Sequence, residues 1–500
     1  MTRLSSKRRN PFVPASGASS LAIPAERWGK TLPRRWAGTD SAELGIKVGI
    51  VLGLAVVAIL TVLTWGGARQ VMQAMRQNTA AYLAILAGQA MLAIAVGTLM
   101  WRFYLAWRYC PAEAASDKEL PLCTVIVPAY NEGKHVLATL QSLVRSDYPP
   151  DKLRIIAIDD GSVDDTWLWM RRAAAAFPGR IKLIRQGRNT GKRCALRAGF
   201  LQSVGQVVVT VDSDSTVGPQ TLRRLVSPFR DPKVGAVAGN IRVLNASGGI
   251  IPKMLDVSFQ YSFQFVRASQ SVVNTVMCTP GALSAYRRHV VLQVLPGWLN
   301  QTFCGRPATI GEDRALTNMI LQRGYHVHFQ SDAVAYTNVP TAYKSLCRMF
   351  LRWARSNVRE TIMMTQFIFS KFREAPASGA RVNLLVHWLH MTLPVVVRAL
   401  AFACLLMHPV LFSIQIAAGA LLSAVVPALL YAARGGRSDA LWAFPYSVFW
   451  LVGLSWIAPY SLITPYKSSW LTRQIPRPDR PPVATAGPAA IPPLGRAAAS

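Results

Sequence analysis

The stretch Gln206–Asp214, QVVVTVDSD, decides the fold class that the sequence predicts. It is a short run of β-branched residues that ends in two aspartates. Similar apolar runs occur earlier in the chain, at Cys123–Pro128, Arg154–Ile158 and Ile181–Ile184. Helical stretches of about ten to fifteen residues separate these runs, which is typical of strands joined by crossover helices. We therefore predict a mostly parallel α/β sheet.

Polar residues follow three of these apolar runs. They are Tyr130 and Glu132 after the first run, Asp159 and Asp160 after the second, and Asp212 and Asp214 after the fourth. Ligands of parallel α/β sheets bind at the carboxyl ends of the strands. We therefore expect a nucleoside site here, in which an aspartate accepts from the base and the ribose and a tyrosine stacks on the base. Taken alone, the Asp-Gly pair after the second run is an ordinary turn sequence.

Asp212 and Asp214 are the candidate metal ligands. Side chains alternate along a strand, so the pattern predicts that these two carboxylates lie on one face. Carboxylates suit Mg²⁺ or Mn²⁺, hard cations that also bind a diphosphate. Such an ion would offset the negative charge on a departing nucleoside diphosphate.

Two further clusters complete the candidate site. Gly187–Arg193, GRNTGKR, is one residue short of a P-loop and has no Ser or Thr after Lys192, so ATP hydrolysis is not expected. Lys192 is then either a diphosphate ligand or a solvated surface lysine. Glu312 and Asp313 open a predicted helix, where a carboxylate is stabilising in itself. Glu312-Asp313 is the third acidic cluster of this stretch, after Asp159-Asp160 and Asp212–Asp214. As a member of this series, Asp313 is the best candidate general base.

The soluble stretch lies between segments long enough to cross a membrane, which takes about 20 apolar residues. We predict spans at Ile46–Trp65, Ala80–Trp101, Leu384–Met407, Pro409–Tyr431 and Ala440–Thr464. The chain has 55 Lys plus Arg against 24 Asp plus Glu, and basic residues favour the cytoplasmic side. Five spans would put the basic C-terminal run outside, so either one segment is re-entrant or the count is wrong. No nucleic-acid-binding motif accompanies the charge, and we expect no nucleic-acid partner.

The predicted organisation has six parts: a basic cytoplasmic arm (1–45), a transmembrane hairpin (46–101), a cytoplasmic domain (110–340), interfacial helices (341–380), transmembrane segments (384–464) and a disordered tail rich in Pro and Ala (475–500). Residues 341–371 alternate apolar and basic positions, which predicts an amphipathic helix on the membrane surface. Ile250–Asn274 is either a second such helix or one packed on the sheet. Arg352 is expected to neutralise a diphosphate, and Trp353 either stacks on a sugar or anchors the helix in lipid.

Several motifs occur in a fixed order between the apolar segments. They are DDGS at 159–162, DSD at 212–214, GEDR at 311–314 and RW at 352–353. In this order they resemble the processive family-2 glycosyltransferases that make hyaluronan, chitin, chito-oligosaccharides and cellulose. The segments CTPGALSAYRR at 278–288, NQTF at 300–303 and IGEDRALTN at 310–318 are similar to bacterial hyaluronan synthases, and RWARS at 352–356 to nodulation-type chitin-oligosaccharide synthases. Met349 departs from the family pattern Q-x-x-R-W, which leaves product length and acceptor identity open.

The resemblance implies a GT-A nucleotide-diphospho-sugar transferase domain on an α-helical transmembrane bundle of the inner (plasma) membrane, with the catalytic domain cytoplasmic. It implies processive, inverting β-transfer from UDP-N-acetylglucosamine, with UDP-glucuronate as second donor if the product is hyaluronan. A UDP-sugar, a growing polysaccharide and membrane lipids are the expected partners. The implied catalytic residues are Asp313, Glu312, Arg314, Arg352 and Trp353; the implied donor-binding residues are Tyr130, Glu132, Asp159, Asp160, Lys192 and Asp212. Two alternatives stay open: transfer of one sugar to a lipid carrier, and a non-catalytic sensing protein.

Overall fold

The computed structural model describes residues 41–467, apart from 375 and 437. Residues 1–40, most of the predicted basic arm, lie outside the described part of the chain. The predicted tail, 475–500, also lies outside it.

The described chain contains a large mixed sheet. Its strands, with a small separate pair, are β1 (Cys123–Ala129), β2 (Leu153–Asp159), β3 (Ile181–Arg185), β4 (Val207–Thr210), β5 (Ser215–Val217), β6 (Val234–Val243), β7 (Ser284–Arg287), β8 (Thr302–Phe303), β9 (Arg306–Pro307) and β10 (His326–Thr337). The large sheet has the order β3-β2-β1-β4-β7-β6-β10-β5, and β8 pairs only with β9. β1 to β4, the predicted strands, pair in parallel, whereas β7 is antiparallel to both neighbours. The predicted α/β sheet is therefore confirmed.

The helices are α1 (Ser41–Arg76), α2 (Thr79–Arg108), α3 (His135–Val144), α4 (Thr166–Ala176), α5 (Lys192–Gln202), α6 (Thr221–Val226), α7 (Ile250–Tyr261), α8 (Ala268–Val272), α9 (Arg288–Leu299), α10 (Glu312–Gln322), α11 (Tyr343–Ile368), α12 (Ser378–Met407), α13 (Pro409–Ala432), α14 (Ala443–Phe449) and α15 (Ile457–Ile463). A π-helical segment, Ser262–Arg267, joins α7 to α8. A short 3₁₀ helix at Asp439–Trp442 and a second π-helical segment at Trp450–Leu454 flank α14. Crossover helices thus follow β1, β2 and β3, as predicted.

The apolar composition of β1 and β4 follows from their central place in the sheet. All residues of both strands are buried, because helices cover the two faces of a largely parallel sheet. α5 packs so closely on β1 that a Cβ at Gly199 would lie 2.5 Å from Cγ2 of Ile126. This close packing places the first residue of α5, Lys192, at the carboxyl ends of β1 and β4.

Four helices of the described chain are long and apolar enough to cross a membrane: Ser41–Arg76, Ala81–Arg108, Ser378–Met407 and Pro409–Ala432. The fifth predicted segment is a broken one. Asp439–Leu454 and Ile457–Ile463 meet at 46°, which fits either a broken span or a re-entrant loop. As a re-entrant loop this pair would leave four spans, which is compatible with the basic residues after it, whereas a broken span would make a fifth crossing.

The amphipathic stretch at 341–371 contains α11, and two arginines of its polar face are buried inside the protein. Arg355 and Arg359 are 3% and 1% exposed. Arg355 donates from Nε to Oγ1 of Thr464 over 3.1 Å, and its guanidinium lies 5.3 Å from the centroid of the Tyr460 ring. An amphipathic pattern does not distinguish a solvated arginine from a buried one with partners, and the location of α11 on a membrane surface stays a prediction.

α7 packs on β6 of the sheet, as one of the two interpretations has it, and it also packs on α13. Leu255 belongs to the core under the sheet, whereas Met254 and Val257 pack on α13. The hydroxyl of Tyr431 in α13 also donates to Asp256 of α7 over 2.8 Å. α7 therefore fixes the α/β domain to the apolar helices.

Candidate active site

The centre of the candidate site is the ammonium group of Lys192. It lies 2.6 Å from Oδ1 of Asp212 and 3.1 Å from Oε1 of Glu312. Burial would lower the pKa of this lysine, but the charges of Asp212 and Glu312 outweigh burial and raise it. Lys192 therefore stays charged, and it is not the solvated surface lysine of the alternative interpretation.

A cleft at the carboxyl ends of β1 and β4 contains this ion group. Its lining consists of Pro128, Lys192, Leu196, Phe200, Thr210, Asp212, Gly281, Tyr286, Trp298, Glu312, Asp313 and Leu316. Gly281 leaves little space above the lysine, since a Cβ there would lie 2.7 Å from Nζ of Lys192 and 3.3 Å from Oδ2 of Asp212. The cleft therefore brings together residues from four of the segments quoted above, at 187–193, 212–214, 278–288 and 310–318.

Asp212 and Asp214 do not lie on one face of a strand. β4 ends at Thr210, and the chain turns there, with Ser215 donating from its main-chain N–H to the carbonyl of Asp212 over 3.0 Å. Asp212 contacts Lys192, whereas Oδ1 of Asp214 is 3.4 Å from Oγ1 of Thr337 on β10. The expected alternation was wrong, because it assumed that the strand continues through residue 214.

Asp159 and Asp160 stabilise the loops that carry the site. Asp159 accepts from the main-chain N–H of Ser162 over 2.9 Å. Asp160 accepts from the main-chain N–H groups of Thr190 and Gly191, each over 2.9 Å, immediately before Lys192. Burial raises the pKa of Asp160 despite these bonds. The DDGS motif therefore positions the loop that leads into α5.

Tyr130 and Glu132 are half-buried in the loop after β1. Asn131 between them has φ +51°, a left-handed conformation that asparagine tolerates better than most residues. The loop is fixed by Thr166, whose Oγ1 accepts from the main-chain N–H of Glu132 over 2.8 Å. Both side chains thus stand on a fixed loop at the carboxyl end of β1.

The pKa values of the adjacent carboxylates Glu312 and Asp313 are shifted in opposite directions. Burial would raise the pKa of Glu312, but Lys192, with a contribution from Arg352, lowers it to about 2. Burial raises the pKa of Asp313, and the negative charge of Glu312 raises it further. Groups with pKa values moved apart in this way are typical of an active site. Asp313 is therefore the carboxylate with the higher proton affinity.

Two further contacts fix Asp313. Its Oδ1 accepts from the main-chain N–H of Arg314 over 2.7 Å, and Sγ of Cys278 lies 3.7 Å from its Oδ2. Burial raises the pKa of the Cys278 thiol to about 12, so this group stays protonated and can donate to the carboxylate. Sequence reasoning quoted Cys278 within a motif but assigned it no role.

Arg314 directs its guanidinium away from the cleft. It donates to Asn357 and, over 2.9 Å, to Oγ1 of Thr361, both on α11. The structure therefore places Arg314 as a link between α10 and α11.

Arg352 and Trp353 lie on α11 at the edge of the site. The charge of Arg352 helps to lower the pKa of Glu312. Trp353 is 44% exposed, and its ring lies 6.2 Å from that of Phe259 on α7 and 5.7 Å from that of Phe350. Trp353 thus presents an exposed ring supported by two other aromatic side chains.

Asp212, which lines the cleft, and Asp214 are the candidate ligands of a divalent cation. No group of three or more His, Cys, Asp or Glu side chains among the described residues is arranged to hold a metal ion. Mg²⁺ bound with nucleotides usually takes only one or two carboxylates and completes its shell with phosphates and water. Asp212 and Asp214 are both half-buried and supply hard oxygen ligands. They suit an ion that enters together with a diphosphate.

A mostly parallel α/β sheet with acidic side chains around a lysine at its strand ends defines a nucleotide-sugar transferase domain of the GT-A type. Residues 121–356 match the family model described as "Glycosyltransferase like family 2". The chain belongs to glycosyltransferase family 2.

Known proteins agree with this assignment. An N-acetylglucosaminyltransferase of Rhizobium meliloti (strain 1021) is 36% identical over 278 residues, which are 55% of this chain and 65% of that protein. An N-acetylglucosaminyltransferase of Rhizobium sp. (strain N33) is 31% identical over 378 residues, 74% of this chain and 82% of that protein. The first match thus spans less than two thirds of its relative.

A solved structure shows the same fold. It is a mannosyltransferase from Pyrobaculum calidifontis in complex with GDP-Man and Mn²⁺, with a TM-score of 0.52 and 24% identity. The match covers 72% of this chain and 98% of that chain. This likeness supports the GT-A fold of the α/β domain.

Proposed function

We propose that this protein transfers N-acetylglucosamine from UDP-N-acetylglucosamine to the end of a growing sugar chain, processively and with inversion to a β linkage. The observation that carries the proposal is the position of Lys192, which bridges Asp212 and Glu312 in the cleft beside Asp313. The N-acetylglucosaminyltransferases among the relatives support the choice of sugar.

The donor binds at the carboxyl ends of β1, β2 and β4. Tyr130, Glu132 and the DDGS loop contact the nucleoside, and Lys192 neutralises the diphosphate. Mg²⁺ or Mn²⁺ held by Asp212 and Asp214 supplies further positive charge to the leaving diphosphate when it is bound. The complex of a protein of the same fold with GDP-Man and Mn²⁺ supports this arrangement.

Asp313 acts as the general base. Its carboxylate takes the proton from the acceptor hydroxyl while the hydroxyl oxygen bonds to the anomeric carbon. The bond between that carbon and UDP breaks on the opposite face, which inverts the configuration. The raised pKa of Asp313 suits this role, because a base with a higher proton affinity accepts a proton more readily.

The acceptor end rests against α11, with its terminal sugar on Trp353. α11 packs against α10, α12 and α15, so it connects the cleft to the apolar helices. A polar polymer cannot cross hydrocarbon unaided, since each unsatisfied polar group there costs several kcal/mol. The apolar helices are therefore the proposed exit path of a multi-pass plasma-membrane protein with a cytoplasmic catalytic domain.

Radiolabelled UDP-sugars, supplied singly and in pairs with Mn²⁺ to the reconstituted protein, test the proposal. The expected result is UDP release and a polymer from UDP-N-acetylglucosamine alone, sized by gel or mass spectrometry. A requirement for UDP-glucuronate would instead make the product hyaluronan. A single sugar on a lipid-soluble carrier would refute processive synthesis, and no UDP release from any donor would favour a sensing protein.

A further inference from the structure

Glu360 is a carboxylate on α11 with no solvent exposure. Its Oε1 lies 3.0 Å from Nε of Arg359 and accepts from Nε2 of Gln301 over 3.0 Å. Asn318 donates from Nδ2 to the main-chain carbonyl of Glu360 over 2.8 Å and lies 3.2 Å from Oε2. Both carboxylate oxygens and the main-chain carbonyl are therefore engaged.

These contacts connect the two sides of the candidate site. Gln301 also accepts, through Oε1, from Nη2 of Arg193 over 3.0 Å, and Arg193 is the second residue of α5, the helix that begins at the donor side. Asn318 lies on α10, the helix that begins with Glu312 and carries the candidate base. Glu360 thus joins α5, α10 and α11 through a single carboxylate.

Arg359 extends the network to the turn before the base. Its Nη2 donates to the main-chain carbonyl of Ile310, two residues before Glu312. The next residue, Gly311, has φ +69°, and a Cβ there would lie 1.6 Å from Oγ of Ser356 on α11. The turn into α10 therefore packs tightly against α11. Arg359 holds it there, and this buried arginine requires a negatively charged partner.

We infer that Glu360 is a positioning residue that holds Asp313 at its working place between the donor side and α11. The inference rests on the proposed function, since Asp313 is a base only in that reaction. Breaking a buried ion pair leaves an uncompensated charge, so without Glu360 the Arg359 guanidinium would pull toward water and release the Ile310 carbonyl. A shift of about 1 Å at a reacting group can cost roughly 10²-fold in rate.

Glu360→Gln tests this role because the amide keeps the size of the carboxylate and one accepting oxygen but cannot neutralise Arg359, and its NH2 group cannot accept the hydrogen bonds that both carboxylate oxygens accept. The expected result is a fall in kcat on the order of 10²-fold with UDP affinity within about twofold of the wild type. Glu374→Gln, an exposed position just beyond α11, is the matched control and should leave both quantities unchanged. If Glu360→Gln does not fold, Asn318→Leu removes only the contacts between Asn318 and Glu360. It should show the same fall in kcat without a loss of UDP affinity.

Amide hydrogen exchange of residues 309–316, measured without substrate, makes the test independent of the reaction. Exchange should be faster in Glu360→Gln and in Asn318→Leu than in the wild type and in Glu374→Gln. Unchanged kcat and exchange would overturn the inference, as would a parallel loss of kcat and UDP affinity, which indicates general disruption. A wild-type protein without transfer activity would refute the proposed function, while the exchange data would still decide the role of Glu360.

Discussion

The ammonium of Lys192 lies 3.1 Å from Oε1 of Glu312 and so joins the first residue of α5 to the first residue of α10. One cation thereby connects the loop after β3 with the acidic cluster that contains the candidate base. Asp212 completes the group at 2.6 Å from the same ammonium. The incoming diphosphate would compete with these carboxylates for Lys192, so donor binding should depend strongly on this residue.

Lys192→Met is expected to weaken UDP binding by at least about tenfold, because a hydrogen-bonded charge pair is worth roughly 1.5–3 kcal/mol. Titration of the purified protein with UDP measures the effect. Lys182→Met on β3, where the side chain is exposed, is the control and should bind UDP like the wild type. Normal UDP affinity in Lys192→Met would leave Lys192 with a purely structural role.

Gly281→Ala tests how little space the cleft leaves above the lysine. The added Cβ would lie 2.7 Å from Nζ of Lys192, and the end of a flexible side chain can move, so the protein should fold. The displaced ammonium should then raise KM for the UDP-sugar without loss of thermal stability. Gly297→Ala on α9, where a Cβ meets nothing within 4 Å, should leave KM unchanged. An equal KM in both variants would contradict this geometry.

Asp313→Asn removes the candidate base and keeps its shape. A positioned base typically contributes about 10²–10⁴-fold, so transfer should fall by that factor while UDP binding stays near the wild-type value. Asp151→Asn, at an exposed position, is the control. Loss of UDP binding in Asp313→Asn would assign Asp313 to the nucleotide site instead.

The raised pKa of Asp313 sets the direction of the pH dependence. Burial and the charge of Glu312 raise it, and a base works in its deprotonated form. kcat/KM should therefore rise with pH through a value above that of an ordinary aspartate. Glu312→Gln removes a neighbouring negative charge, so the acid limb should move to lower pH in that variant. An acid limb at the same pH in both proteins would contradict the coupling of the two carboxylates.

Local patterns predicted the half of the sheet that surrounds the site. The runs at β1 to β4 are rich in β-branched residues because helices bury both faces, and the acidic motifs follow because strand ends meet at one edge. Asp212 and Asp214 show the limit of this reasoning. Their arrangement depends on where β4 ends, and the chain turn at residues 212–215 is not visible in the alternation of residues.

The features of the site that the sequence did not predict depend on contacts between residues far apart in the chain. Glu360 meets Asn318 because α10 and α11 pack together, and it meets Gln301 in the loop between α9 and β8. The available signal in the sequence was an acidic residue next to Arg359 in a chain with few acidic residues. The basic residues of the helix, however, indicated a solvated face.

Trp353→Ala tests the acceptor side of the site. The ring is 44% exposed at the edge of α11 and is supported by Phe259 and Phe350, so it can stack on a sugar without rearrangement. Removing it should loosen the acceptor end after each addition and shorten the product, while UDP binding should survive because the proposed donor contacts lie on α5 and at the strand ends. Product sizing by gel, with Trp107→Ala at an 82% exposed position as control, measures the effect. Full-length polymer from Trp353→Ala would show that the growing chain leaves the cleft by another route.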